Sequence, residues 1–239
     1  MGRSENAAIF ENTRKIYQTD PELAAAIRVS NNIQEVILEN DKLIPIPPRF
    51  TEPAEVIVSR KRSFEAAQSY RVYPTCVLNF ASATNPGGGV VNGSSAQEEC
   101  LCRCTTLYPC LNNDALWEAF YAPHRKTANP LYNNDCIYTP GVRVFKSDTN
   151  FPEPLVQKNW WNVNVLTCAA PNLRERPSNA MNPHAGDKAE KITSAELEKL
   201  LISKKPESVF ELLKMGLMDS FLIRRPEDES LFRVLNRLP

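Results

Sequence analysis

The chain has 239 residues, 42% of them hydrophobic, and its 28 Lys+Arg balance 28 Asp+Glu to a net charge of zero. A neutral balance gives no long-range field to draw in a polyanion, which argues against a dedicated DNA or RNA binder, and no apolar run reaches the ~18 residues a membrane helix needs. The polar opening Met1-Gly2-Arg3-Ser4-Glu5-Asn6 has no apolar h-region, so a cytoplasmic or nuclear protein is expected, with its seven cysteines reduced.

In chain order, Glu5 to Gln18 has helical composition, with Ile9, Phe10 and Ile16 apolar. Asp20-Pro21-Glu22 predicts a second helix start: an N-cap, a proline at the first helical position and an acid in the first turn. Leu23 to Val29 continues that helix, Asn31-Asn32 is expected to break it, and Ile33 to Leu38 reads as a first strand. Pro45, Pro47 and Pro48 stiffen a loop. Glu55 to Val58 reads as a short strand, and Ser63 to Tyr70 as a helix with Phe64 and Ala67 inward.

Residues 75–110 read TCVLNFASATNPGGGVVNGSSAQEECLCRCTTLYPC, and the chain is organised around them. Cys76-Val77-Leu78 is a short apolar run suited to a buried strand. Asn85-Pro86 opens a loop, and Gly87-Gly88-Gly89 follows, with no Cβ to hold a ligand away and free access to φ > 0. Ser95 and Glu98 fit the S-x-x-E capping box that opens a helix. Strand, glycine loop and helix start converge free backbone N–H groups on one place, a candidate anion site. It is neither a Walker loop nor the G-x-G-x-x-G dinucleotide fingerprint. Beside it stand Glu98 and Glu99. Carboxylates repel phosphates, so a site that only binds has no evident reason to hold them. Hydrolysis of a glycosidic bond does need such a group, as proton donor and acceptor. Taken alone, two acids at a helix start would be read as partners of its dipole.

Three glycines, seven residues, then Gln97-Glu98-Glu99 resembles the signature of poly(ADP-ribose) glycohydrolases. Asn79-Phe80-Ala81-Ser82 before it, and Asn92-Gly93 and Leu107-Tyr108-Pro109 after it, resemble the bacterial-type (microbial) branch. The resemblance implies an α/β class: a three-layer α/β/α macrodomain-like fold with a mixed central sheet, one domain over 1–239, and an N-terminal helical extension over 1–50. It implies Glu99 as general acid/base and Glu98 as a second catalytic residue holding ribose hydroxyls of the leaving unit. Gly87, Gly88 and Gly89 would give amides to the diphosphate, with Ala81, Ser82, Asn85 and Gln97 also at the substrate. No metal and no cofactor is implied. The partners implied are poly(ADP-ribose) or ADP-ribosylated proteins, without direct DNA or membrane contact, for a chain expected to act as a monomer.

Neighbours at i and i+1 on a helix point ~100° apart, so the two acids cannot flank a sugar as a glycosidase pair does. A single acid/base assisted by the substrate's phosphate fits better. A proton donor at neutral pH requires a raised pKa, which burial and an adjacent like charge supply.

The helix from the glutamates is expected to run to about Leu107 and end at Pro109. Leu116, Trp117, Phe120 and Tyr121 form a second apolar helical face, closed by Ala122-Pro123-His124-Arg125. His124 reads as a loop histidine capping backbone groups ahead of a catalytic base; Arg125 is a candidate phosphate contact, set against a plain surface charge. Cys100, Cys102, Cys104 and Cys110 lack zinc-knuckle spacing and read as buried packing. Asp135 to Pro140 and Val142 to Phe145 read as two strands joined by Pro-Gly, and Val163 to Cys168 as another, stopped by 169–172. The resemblance places Ala169 to Asn172 near the ligand.

Residues 174–191 read as a flexible loop, with a solvated His184. Thr193 to Glu196 is a second capping box, Glu207 to Met215 a further helix, and Asp219 to Ile223 a strand. There the resemblance stops. The family carries a second glycine-rich loop after this strand, whereas this chain reads Arg224-Arg225-Pro226-Glu227-Asp228-Glu229, with no glycine after Gly216. Two readings follow: an active glycohydrolase releasing ADP-ribose by cutting ribose–ribose bonds, or an impaired ADP-ribose-binding module lacking the second diphosphate loop.

Overall fold

The computed structural model of the chain describes residues 2–41, 57, 59–127, 132–169 and 221–222. The expected loop at 45–48, the strand at 55–58 apart from Ile57, and everything expected over 170–220 and beyond 222 lie outside the described residues.

Two helices open the chain, α1 (Arg3–Thr19) and α2 (Pro21–Ile33). The Asp20 side chain caps α2 as expected, accepting from the N–H groups of Glu22 at 2.9 Å and Leu23 at 3.0 Å. Asn31-Asn32 does not break α2, which runs on to Ile33. Packing decides here over propensity: α2 lies along strand β3, with Ser30 buried. Gln34 then turns to extended geometry, and its Nε2 donates to Thr139 Oγ1 at 2.7 Å.

Among the described residues five strands make one mixed sheet, in the order β1 (Glu35–Ile37), β3 (Cys136–Val144), β4 (Trp161–Ala169), β2 (Cys76–Ala81), β5 (Phe221–Leu222). β2 pairs in parallel with β4 and β5, while β3 runs antiparallel to β1 and β4. The two strands expected around Pro140-Gly141 are one strand. The irregularity between Thr139 and Val142 is a bulge, with Gly141 at φ 68°.

One sheet face carries Val77, Ile137, Val163 and Val165. They pack with Phe10 of α1, Phe64 of α3 (Ser63–Gln68), Leu101 of α4 (Gln97–Cys104) and Leu107 of α5 (Leu107–Leu111). Cys76, Leu78, Cys136, Leu166 and Cys168 form a second buried cluster on the other face, as strand alternation requires. A mixed sheet with helices against it is the α/β class expected.

α4 is shorter than its expected run to Leu107. Thr105 is extended (φ −142°, ψ 177°) and bridges to Val144, so the helix stops at Cys104. Pro109 ends nothing; it sits in the first turn of α5, where its missing N–H is not needed. Then α6 (Asp114–Leu116), a π turn (Trp117–Tyr121) and α7 (Ala122–Thr127) follow without a break. No helix among the described residues is long and apolar enough to cross a membrane.

Candidate functional site

The site lies where parallel strands β2 and β4 end side by side, Ala81 opposite Ala169. Crevices outside the carboxyl ends of such strands are where open α/β sheets take ligands. Both alanines are buried.

From Ala81 the chain turns at once. Ser82 Oγ accepts from the N–H groups of Thr84 at 3.3 Å and Asn85 at 3.1 Å. The Gly88 N–H donates to Asn85 O at 3.0 Å, and the Val90 N–H to Gly87 O at 3.2 Å. These bonds need two successive residues in the left-handed region, and Gly87 (φ 66°) and Gly88 (φ 59°) supply it. A short 3₁₀ turn, Val90–Asn92, leads on to Ser94, whose N–H returns to Gly89 O at 3.1 Å.

α4 begins at Gln97 with Ala96 as its cap, and no side chain caps it. The expected Ser95–Glu98 capping box is therefore absent. Glu98 is turned away from the helix start into the sheet. Its Oε2 accepts from the Ser82 N–H at 2.8 Å, and its Oε1 from Asn79 Nδ2 at 3.4 Å. Glu99 turns to the loop instead, where its Oε1 accepts from the Gly89 N–H at 2.8 Å. The two acids straddle one glycine. A Cβ on Gly88 would lie 2.6 Å from Glu99 Oε1 and 2.9 Å from Glu98 Oε2.

Two of the triglycine amides thus have partners within the site: Gly89 donates to Glu99 Oε1 and Gly88 to Asn85 O. The positive turn faces the two acids of the following helix, the nearest negative groups available to it. The glycines are what let main chain and carboxylates come so close.

Burial sets the electrostatics. Glu98 is 2% exposed and Glu99 6%. Desolvation pushes the Glu98 carboxyl up to about 8; the Ser82 N–H opposes this and the neighbouring Glu99 adds to it. The raised acid was expected of the general acid, Glu99; the raised carboxyl is that of its neighbour, Glu98. Glu99 Oε2 is buried and has no hydrogen-bond partner among the described residues, an unusual state for a carboxylate oxygen.

Gln97 pins strand β2. Its Oε1 accepts from the Phe80 N–H at 2.8 Å, and its Nε2 donates to Leu78 O at 2.7 Å and Ser63 Oγ at 3.2 Å. Among the described residues β5 pairs with β2 at Cys76 and Val77, and the Gln97 amide binds the same strand further along, at Leu78 and Phe80. Asn85 binds through its side chain to Arg125.

The remaining candidates separate. His124 lies on α7, not in a loop. Its Nδ1 is 2.7 Å from Phe120 O and its Nε2 2.8 Å from Asn133 Oδ1, which ties the helix to the start of β3. Arg125 donates to Thr84 O at 2.7 Å and to Asn85 Oδ1 at 2.6 Å, so it is no idle surface charge. Cys102, Cys104 and Cys110 are buried, and no group of three or more His, Cys, Asp or Glu among the described residues could hold a metal ion. Reading the sequence overlooked Asn79, whose Nδ2 also donates to Thr167 Oγ1 at 3.2 Å. An asparagine inside an apolar strand was the available signal, because a buried amide needs partners.

Comparison with known proteins points to one family. Residues 7–147 match the family model described as microbial-type PARG, catalytic domain. The crystal structure of poly(ADP-ribose) glycohydrolase from Thermomonospora curvata is similar at 25% identity and a TM-score of 0.71, over 90% of this chain and 77% of that one. The same enzyme bound to the inhibitor ADP-HPD gives a TM-score of 0.67 at the same identity and coverage. The Deinococcus radiodurans enzyme in complex with ADP-ribose shares the fold, at 22% identity and a TM-score of 0.63, over 87% of this chain and 82% of that one. No curated protein sequence matches.

Proposed function

We propose a function from one premise: this chain belongs to the family of microbial-type PARG catalytic domains. The reading is a poly(ADP-ribose) glycohydrolase that hydrolyses ribose–ribose bonds and releases ADP-ribose, the whole chain working as one catalytic domain. The observation that carries it is the carboxylate of Glu99. One oxygen is fixed by the Gly89 N–H, and the other is buried without a partner among the described residues. A buried polar atom left unpaired is costly, and exchange of a proton with a sugar oxygen at that atom gives the cost a purpose.

In this mechanism Glu99, protonated, gives its proton to the leaving ribose oxygen as the glycosidic C–O bond breaks. The bonding pair leaves with that oxygen, and positive charge builds on the ribose ring. The ionised carboxylate then takes a proton from the attacking water, the oxygen of which bonds to the anomeric carbon. The cycle ends with Glu99 protonated again. Glu98 faces Ser82 and Asn79, so its part is to hold the end of β2 against α4 beside the sugar. Gly88 leaves room for ribose to approach both acids. Ala81, Ser82 and Asn85 shape the floor of the crevice.

The test is incubation with poly(ADP-ribose) and chromatography of the products. Free ADP-ribose is expected from the wild-type chain and is expected to vanish with Glu99→Gln. Calorimetric binding of ADP-ribose without release of product would make the protein a recognition module instead.

A further inference from the structure

We propose that Arg125 is a positioning residue for the Glu99 carboxylate, acting through the Thr84–Gly89 turn and not by touching substrate. The proposal rests on the reading of Glu99 as acid/base.

The guanidinium is fully engaged on two sides. Its Nε donates to Thr84 O and its Nη2 to Asn85 Oδ1. Its face lies over the Trp117 ring, 4.4 Å from the centroid, a cation–π stack. The two hydrogen bonds grip the turn from which the glycines emerge, and the stack holds the guanidinium against Trp117. Asn85 O then accepts the Gly88 N–H at 3.0 Å, and the next amide, Gly89, holds Glu99 Oε1 at 2.8 Å. Arg125 is thus three links from Glu99 Oε1, the oxygen that fixes the carboxylate, through a loop whose left-handed glycines leave it little stiffness of its own. A planar fork with a stacked face suits this task, and a lysine could not reproduce it.

The helix carrying Arg125 has a built-in device that aims it. Trp117 and Arg125 are eight residues apart, which on a regular helix leaves them ~80° out of line. The π turn closes a hydrogen bond from the Ala122 N–H to Trp117 O. Its wider turn removes about that angle, so ring and guanidinium stack. π turns cluster at functional sites, and this one places a clamp.

The test uses the full chain with Arg125→Ala and Arg125→Lys, measuring kcat, KM, calorimetric affinity for ADP-ribose, and amide hydrogen exchange at Gly88 and Gly89. Arg125→Ala is expected to lower kcat at least tenfold, leave ADP-ribose affinity within threefold, and speed exchange at both amides at least tenfold. Arg125→Lys is expected to recover part of the exchange protection and part of kcat, and it is the variant to read should the alanine form not fold. An affinity loss of tenfold or more with unchanged kcat would make Arg125 a substrate contact and overturn the proposal, as would unchanged exchange. Should the wild-type chain release no ADP-ribose, the glycohydrolase reading fails, while the exchange data still decide whether Arg125 holds the turn.

Discussion

Gly88 separates Glu98 from Glu99: a Cβ there would meet Oε1 of one at 2.6 Å and Oε2 of the other at 2.9 Å. Adjacent acids on one helix diverge by ~100°. Here they diverge around a backbone that has no side chain, one into the end of β2 and one onto the Gly89 amide.

Gly88→Ala is therefore expected to damage both stability and activity. The left-handed conformation at φ 59° costs an alanine about 1–2 kcal/mol, before the added methyl displaces either carboxylate. A misplacement of ~1 Å can cost about a hundredfold in rate. Thermal unfolding and ADP-ribose release, measured together, check it; a variant with wild-type turnover would show that the glycine is not needed to seat Glu99.

Glu99→Gln keeps the oxygen that accepts from the Gly89 N–H, so unfolding free energy is expected to stay within about 1 kcal/mol of wild type. Hydrolysis should fall roughly 10²- to 10⁴-fold, the usual contribution of a general acid/base. Parallel denaturation and turnover measurements separate the two. Loss of folding without a chemical defect would reassign Glu99 to structure.

Much of this arrangement was legible before any coordinate. The short apolar run Cys76-Val77-Leu78 announced a buried strand, and Asp20-Pro21 announced α2. Gly-Gly-Gly with Gln97-Glu98-Glu99 located the acids. What could not be read was which partner each amide takes, because that depends on through-space distances between a loop and a helix. Asn31-Asn32 misled for the same kind of reason: local propensity says stop, while packing of α2 on β3 carries the helix on. Pro140-Gly141 looks like a turn, yet a bulge can absorb both residues in one strand.

Glu98 predicts a pH dependence of stability. Its carboxyl is raised from 4.5 to about 8 in the folded protein. Between those values the folded state keeps a proton that the unfolded chain has lost. Stability contributed by this group is thus complete below about 4.5 and is lost as pH rises through the folded value. The slope from one such group is at most about 1.4 kcal/mol per pH unit. Denaturation midpoints of wild type should fall from pH 5 to pH 8 more steeply than those of Glu98→Gln, which stays neutral throughout. Parallel slopes would place the titration elsewhere.

Gln97 fixes the geometry from the other side. Its amide takes the Phe80 N–H and gives to Leu78 O and Ser63 Oγ, so β2 and the first turn of α4 move as one body. Gln97→Leu removes an acceptor and two donors at half-buried positions, and each partner stranded from water costs about 1–3 kcal/mol. Gln97→Glu separates packing from polarity: it keeps the shape and the Phe80 acceptor but sets a carboxylate oxygen against Leu78 O. Both variants are expected to unfold at lower denaturant concentration than wild type, the leucine form by roughly 2 kcal/mol or more. Because Glu98 and Glu99 follow directly on the same turn, turnover should fall further than the unfolded fraction accounts for. A leucine variant as stable and as active as wild type would mean that β2 is held to α4 without this side chain.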